Sequence, residues 1–206
     1  MKLYTSPRAP NPRRVTMFMA EKQIVGIELE TVDINALAHK AADYRALNPL
    51  ATVPALALDD GRVLSESRAI CTWLEGRYPE PNLMGVDADE RAFIEMADRR
   101  AEWYLLVPMA QVIRHTHPGL APLEQPQFAD YGQAQVAKVK DNAARFDQIL
   151  QQQAWMAGDR FTVADITAFC ALEFARLMKF SAQAEGLHAL QAWRDRVAAR
   201  PSATAV

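Results

Sequence analysis

Val53-Pro54 and, a short way on, Glu66-Ser67 are the residues whose types and spacing can do chemistry together. Pro54 stands before an apolar run, Ala55 to Leu58, that reads as a strand. With no N–H to give a sheet ladder, it belongs at a strand's first residue or on an edge. An X-Pro bond can be cis for only about 0.5–1 kcal/mol, and a cis bond would turn the Val53 backbone outward. One N–H and one C=O would then be open to an extended ligand. Ser65 reads as a helix N-cap, with Glu66 and Ser67 in the first turn of a helix running to about Tyr78. A helix start exposes unpaired N–H groups and attracts a carboxylate. Extended pairing at Val53, a carboxylate seat at Ser67 and an acidic side chain at Glu66 suit a zwitterionic peptide. Taken singly, Pro54 can shape a turn and Ser65 and Ser67 can cap a helix; the joint spacing is what points to a ligand.

The elements that position these residues are legible on both sides. Lys2 to Thr5 reads as a strand stopped by Ser6-Pro7, and Asn11 with Pro12 as the N-cap and first residue of a helix. That helix carries Val15, Phe18, Met19 and Lys22 and ends near Gly26; Ile27 to Val32 follows as a strand, with Ile27, Leu29 and Thr31 on one face. A helical piece around Ala41 to Leu47 precedes a hairpin turning at Asp59-Asp60-Gly61-Arg62. The order is βαβαββα. Pro79 and Pro81 end this part, and from Asp87 onward only helical spacing occurs. The expected division is 1–78, a linker at 79–88, and an all-helical domain at 89–206. Its first helix runs from Asp89 to about His117 with a kink at Pro108; the next spans roughly Phe128 to Gln152. Thr162 and Asp165 form a capping box that Phe161 and Ile166 can staple. Leu187, Leu190, Trp193 and Val197 make the last apolar stripe, ended by Pro201, and Ser202 to Val206 is expected to be loose.

At 206 residues the chain can form one large domain or two small ones. Its 23 Lys and Arg against 25 Asp and Glu make no global basic field for nucleic acid. Cys71 and Cys170 fall in predicted helices and no Cys-x-x-Cys pair occurs, which reads as buried thiols in a reducing compartment. No metal-ligand set stands out. No long apolar h-region follows Met1, and no eighteen apolar residues run together, so a cytoplasmic protein without a membrane partner is expected.

"NPLATVPAL" followed by "LSESRAI" resembles the glutathione-binding half of glutathione S-transferases, and βαβαββα resembles their thioredoxin-like domain. The fold class implied is α/β plus all-α, a thioredoxin-like domain followed by a helical bundle. By that resemblance Val53, before the cis-proline Pro54, pairs with the cysteinyl backbone of glutathione, while Glu66 and Ser67 hold the γ-glutamyl ammonium and carboxylate. His39-Lys40 resembles pairs that contact the glycine carboxylate in theta- and delta-like members; a solvated pair is the other reading. Thr52 stands where some members carry a lysine for that carboxylate. In the family the first helix begins at the sulfur, so residues 6 to 14 carry any thiol activation. "APNPRRVT" resembles the "TPNGxK" type of the bacterial nu class, with Asn11 matching the asparagine and Ala9 at the threonine position, where no donor remains. Asn11 can cap the helix with its oxygen while its NH₂ donates to a thiolate, or act as a cap alone. The helix dipole and Arg8, Arg13 or Arg14 would help bring a thiol pKa below about 8.5. Ser6 is the competing donor.

The electrophile in this family lies between the sulfur and the first long helix of the second domain. Trp103, Tyr104, Val107, Gln111 and His115 are candidates there, core or dimer contacts being the other account, and a solvated helix end that of His115. The resemblance implies a homodimeric enzyme that binds glutathione and transfers it to a hydrophobic electrophilic small molecule or exchanges it with a disulfide, with peroxidase activity open. A zeta-like isomerase lacks support, since the serine- and cysteine-rich loop of that class is missing. The remaining alternative is a non-catalytic regulator of the stringent-starvation type, with which Ala9 is consistent.

Overall fold

Alternation in Lys2-Leu3-Tyr4-Thr5 turns Leu3 and Thr5 inward, and both are buried in the computed structural model, which describes residues 1–7 and 9–205. This strand, β1 (Lys2–Thr5), pairs in parallel with β2 (Glu28–Thr31) and antiparallel with β3 (Ala55–Ala57), which pairs with β4 (Val63–Ser65). The sheet order is β2-β1-β3-β4. Helices α1 (Pro10–Glu21), α2 (Ala42–Leu47) and α3 (Ser67–Arg77) complete the βαβαββα unit, with α1 packed on α3. The hairpin turns where expected: Gly61 takes φ 86°, and Asp60 Oδ1 accepts from the Arg62 N–H at 3.0 Å. The second strand is shorter than expected and lies at the sheet edge, where Leu29 is exposed while Ile27 and Val32, outside the ladder, are buried. Lys22 ends α1 with a fully buried ammonium that donates to the Tyr78 and Pro81 carbonyls at 2.7 Å each and pairs with Glu75 at 2.8 Å. It ties the close of α1 to the close of α3.

This unit comprises Met1–Asn82 and Thr204–Val206; Leu83–Ala203 form the other, which is all helical. There α4 (Ala88–Arg100) runs through a π-helical stretch, Ala101–Leu106, into α5 (Val107–Thr116). The irregularity expected at Pro108 therefore takes the form of a widened turn just before it. α6 (Ala129–Leu150) packs on α5, α7 (Val163–Ala175) is buried along most of its length, and α8 (His188–Ala198) buries Leu190, Trp193 and Val197. The capping box at the head of α7 forms: Thr162 Oγ1 accepts from the Ala164 N–H at 3.3 Å, and Asp165 Oδ2 accepts from the Thr162 N–H at 2.9 Å. Phe161 packs edge-to-face on Trp155. Ser202 to Ala205 are not loose, and Val206 lies outside the described residues. Pro201–Thr204 winds into a 3₁₀ turn with Ser202 and Ala203 buried, and the Ala205 carbonyl accepts from Thr16 Oγ1 at 3.5 Å. Both cysteines are buried. Among the described residues, no helix is long and apolar enough to cross a membrane, and no group of three or more His, Cys, Asp or Glu is placed to hold a metal.

Candidate functional site

Strand register brings the candidate residues of the first unit to one end of the sheet. Tyr4 lies opposite Ala55, so continuing the ladder sets Ser6 beside Val53; Ala55 lies opposite Ser65, which sets Val53 beside Ser67. Because β2 runs parallel to β1, the stretch after Thr31 leaves from the same end.

The Val53-Pro54 bond is cis. Val53 neither donates nor accepts a main-chain hydrogen bond among the described residues, so its N–H and C=O are open to an extended ligand. The loop before it is clamped: the Thr52 carbonyl accepts from Tyr44 Oη at 2.7 Å and from Asn48 Nδ2 at 2.9 Å. Burial pushes the Tyr44 phenol up to about 12, so at neutral pH it keeps the proton it donates.

Glu66, not Ser65, is the residue that starts α3. Pairing with Ala55 keeps Ser65 extended, so the chain must turn from strand to helix at Glu66 alone, which takes φ 69°, ψ 115°. A non-glycine residue held there costs about 1–3 kcal/mol, a form of strain that clusters at ligand sites. Ser67 follows as the first helical residue, buried, with Glu66 exposed beside it. The first main-chain bond of α3 is that of the Ile70 N–H to the Glu66 carbonyl at 2.9 Å, so the amides before it face out of the helix start.

Helix α1 starts two residues earlier than expected. Ala9 is its N-cap and Asn11 lies inside the first turn, because Pro10 and Pro12 both fit positions where no N–H is needed. Asn11 then carries the one main-chain N–H of the first three helical residues. Asn11 is exposed, and its Oδ1 accepts from Arg14 Nη1 at 3.5 Å, leaving the NH₂ without a partner among the described residues. Arg14 is 2% exposed. Ser6 is buried, and its carbonyl accepts from the Ala9 N–H at 3.0 Å. Arg8 lies outside the described residues.

His39 sits in a 3₁₀ turn with its ring buried and Nδ1 without a partner, whereas Lys40 is exposed. Burial first, then the charges of Lys40 and Arg45, hold the His39 imidazole below its usual range.

In the helical unit Trp103 and Tyr104 are 59% and 52% exposed, and Gln111 is half-buried. His115 is not a solvated helix end. It is buried, its Nδ1 accepts from the Phe128 N–H at 3.2 Å, and its ring meets Tyr131 edge-on. It fastens the loop between α5 and α6. Its neighbour Arg114 pairs with Glu124 at 3.0 Å.

Comparison with known proteins places this geometry in a family. Residues 9–77 match the family model of the glutathione S-transferase N-terminal domain, and residues 103–201 that of the C-terminal domain. Glutathione S-transferase 2 of Saccharomyces cerevisiae is 35% identical over 204 residues, covering 98% of this chain and 87% of its own. The chain belongs to the glutathione S-transferase family. Among solved structures, a glutathione S-transferase domain-containing protein of Marinobacter aquaeolei superposes with a TM-score of 0.91 at 41% identity, covering 98% of this chain and 99% of its own. Gtt2 of Saccharomyces cerevisiae superposes at 0.92 with 35% identity, covering 98% of each chain.

The transferase family uses glutathione as a substrate. Reasoning from sequence did not single out Tyr44 and Asn48, which clamp the loop before Val53. Asn48 lies within the recognised stretch, but only the folded loop reveals that its amide reaches Thr52.

Proposed function

We propose that this transferase binds glutathione as an extended peptide along Val53, stabilises its thiolate, and delivers it to an electrophilic carbon or a disulfide. The observation that carries the reading is the unpaired main chain of Val53 lying, by register, beside the start of α3. The cysteinyl backbone of glutathione pairs with Val53, its γ-glutamyl carboxylate sits at Ser67 and the α3 amides, and Glu66 holds the ammonium. His39, with its unpartnered Nδ1, and Lys40 take the glycine carboxylate. The thiolate is held at the start of α1 by the Asn11 NH₂ and the helix dipole, with Ser6 the other available hydroxyl. In the helical unit Trp103 and Tyr104, with Gln111 nearby in sequence, receive an apolar electrophile; their exposure supports this. The working form is a cytoplasmic homodimer.

Calorimetry with glutathione tests binding; wild-type protein that fails to bind removes the proposal. Thiolate absorbance of bound glutathione against pH then compares wild type with Asn11→Ala. A titration moved upward in the variant is expected, and an unchanged one takes Asn11 out of the mechanism. Sedimentation showing a monomer refutes the dimer. A binder without catalysis is the second reading, favoured by one observation: Ala9 caps α1 with no side-chain donor. A panel of aryl halides, disulfides, peroxides and epoxides separates the two, since a binder turns over none of them.

A further inference from the structure

The helix formed by α4 and α5 departs from the α-helical repeat between them, where Ala101–Leu106 winds as a π-helix. Its wide turn closes with the Val107 N–H donating to the Glu102 carbonyl, five residues back. Pro108 follows at once. Lacking an N–H, it cannot bond the Tyr104 carbonyl as the α ladder requires. That carbonyl accepts instead from Asn142 Nδ2 at 2.9 Å, brought in by α6. Asn142 is 7% exposed, so the replacement donor is shielded from water. Trp103 and Tyr104 stand in the middle of this stretch with large exposed surfaces, while Ala101, Leu105 and Leu106 in the same stretch are buried. π turns inside α-helices occur frequently at functional sites because they redirect side chains that a regular helix would distribute around its axis.

We infer that Asn142 is a positioning residue for the acceptor. By taking the carbonyl that Pro108 leaves without a donor, it holds the widened turn on which the exposed Trp103 and Tyr104 receive a planar aromatic electrophile. The inference rests on the reading above that these two rings receive the acceptor. Asn142 touches no substrate; it acts through the Tyr104 main chain.

Calorimetry with two ligands, glutathione and its dinitrophenyl conjugate, tests this without requiring turnover. The wild-type protein binds the conjugate more tightly than glutathione, and Trp103→Ala or Tyr104→Ala removes most of that advantage. Asn142→Leu weakens conjugate binding about tenfold through misplacement of the rings, and leaves the glutathione Kd within about twofold. Pro108→Ala in the Asn142→Leu background supplies a main-chain N–H to the same carbonyl, and brings conjugate affinity back to that of Pro108→Ala alone. Should Asn142→Leu not fold, Asn142→Asp keeps the shape, offers no donor when ionised, and carries the same expectation. Equal weakening of both ligands, unchanged conjugate affinity, or failure of the Pro108→Ala rescue overturns the role given to Asn142. If the ring variants leave conjugate binding unchanged, or wild type shows no preference for the conjugate, the acceptor reading itself falls and this inference with it. If the ring variants act and Asn142→Leu does not, only the inference falls.

Discussion

Replacing Asp165 tests the folding logic of the helical unit most directly. Its carboxylate is fully buried and accepts from the Met156 N–H at 2.9 Å, the Trp193 Nε1–H at 2.8 Å and the Thr162 N–H at 2.9 Å, with the Thr162 hydroxyl at 3.4 Å. Asp165→Ala leaves these N–H groups buried and unmatched at about 1–2 kcal/mol each. Burial also pushes the carboxyl up from 3.8 to about 6 while the hydrogen bonds draw it down, so the variant recovers part of the cost of a buried charge. The net loss near neutral pH is about 2–3 kcal/mol, or a fall in Tm of about 5–10 °C for a chain of this size. The pH dependence has a definite sign. The folded state takes up its proton near 6 and the unfolded state near 3.8. This group's contribution is therefore full below 3.8 and is lost as pH rises through 6. Across that window wild type gains up to about 3 kcal/mol over the variant as pH falls, at about 1.4 kcal/mol per pH unit. Urea unfolding followed by tryptophan fluorescence is the assay, since the Trp193 indole donates to this carboxylate, and two transitions resolve the units if they unfold apart. Asp165→Asn keeps one acceptor oxygen and should fall between the two proteins while lacking the slope. A loss smaller than about 0.5 kcal/mol, or a wild-type advantage that grows with pH, would refute the reasoning. Folded Asp165→Ala should also keep its glutathione affinity; binding lost from a folded variant contradicts a purely structural role.

Three further outcomes follow from the first unit. Glu66→Gly relieves the positive φ and should raise stability by about 1 kcal/mol, while weakening glutathione about tenfold or more by removing the carboxylate; urea unfolding and calorimetry read the opposite signs, and no change in affinity removes Glu66 from the ligand. Lys22→Met deprives two main-chain carbonyls and Glu75 of a buried ammonium and should cost about 3–5 kcal/mol, against which a neutral result in urea unfolding would stand. His39, held neutral by burial, should make stability fall as pH drops below 6.5, because the unfolded chain takes up that proton first. His39→Gln should flatten this acid limb, and an unaltered stability–pH profile shows that His39 does not produce it.

Short-range physics is what the sequence by itself determined. The strand–helix order followed from local pattern, and the hairpin at Gly61 and the capping box of Thr162 and Asp165, which depend on residues within one turn of each other, formed where expected. The proline after Val53 marked its strand start for the same reason, that a missing N–H is a local property. Only the tertiary structure decided matters settled by distant partners. The ladder between Ser65 and Ala55 moved the helix start to Glu66. Packing around Phe128 and Tyr131 buried His115. Pro108 announced a break in its helix, but the break became a π turn in which the Tyr104 carbonyl accepts from Asn142, 38 residues further along the chain. A hydrogen-bonding group left unpaired by its neighbours must find a donor somewhere, and which donor reaches it is known only once the chain has folded.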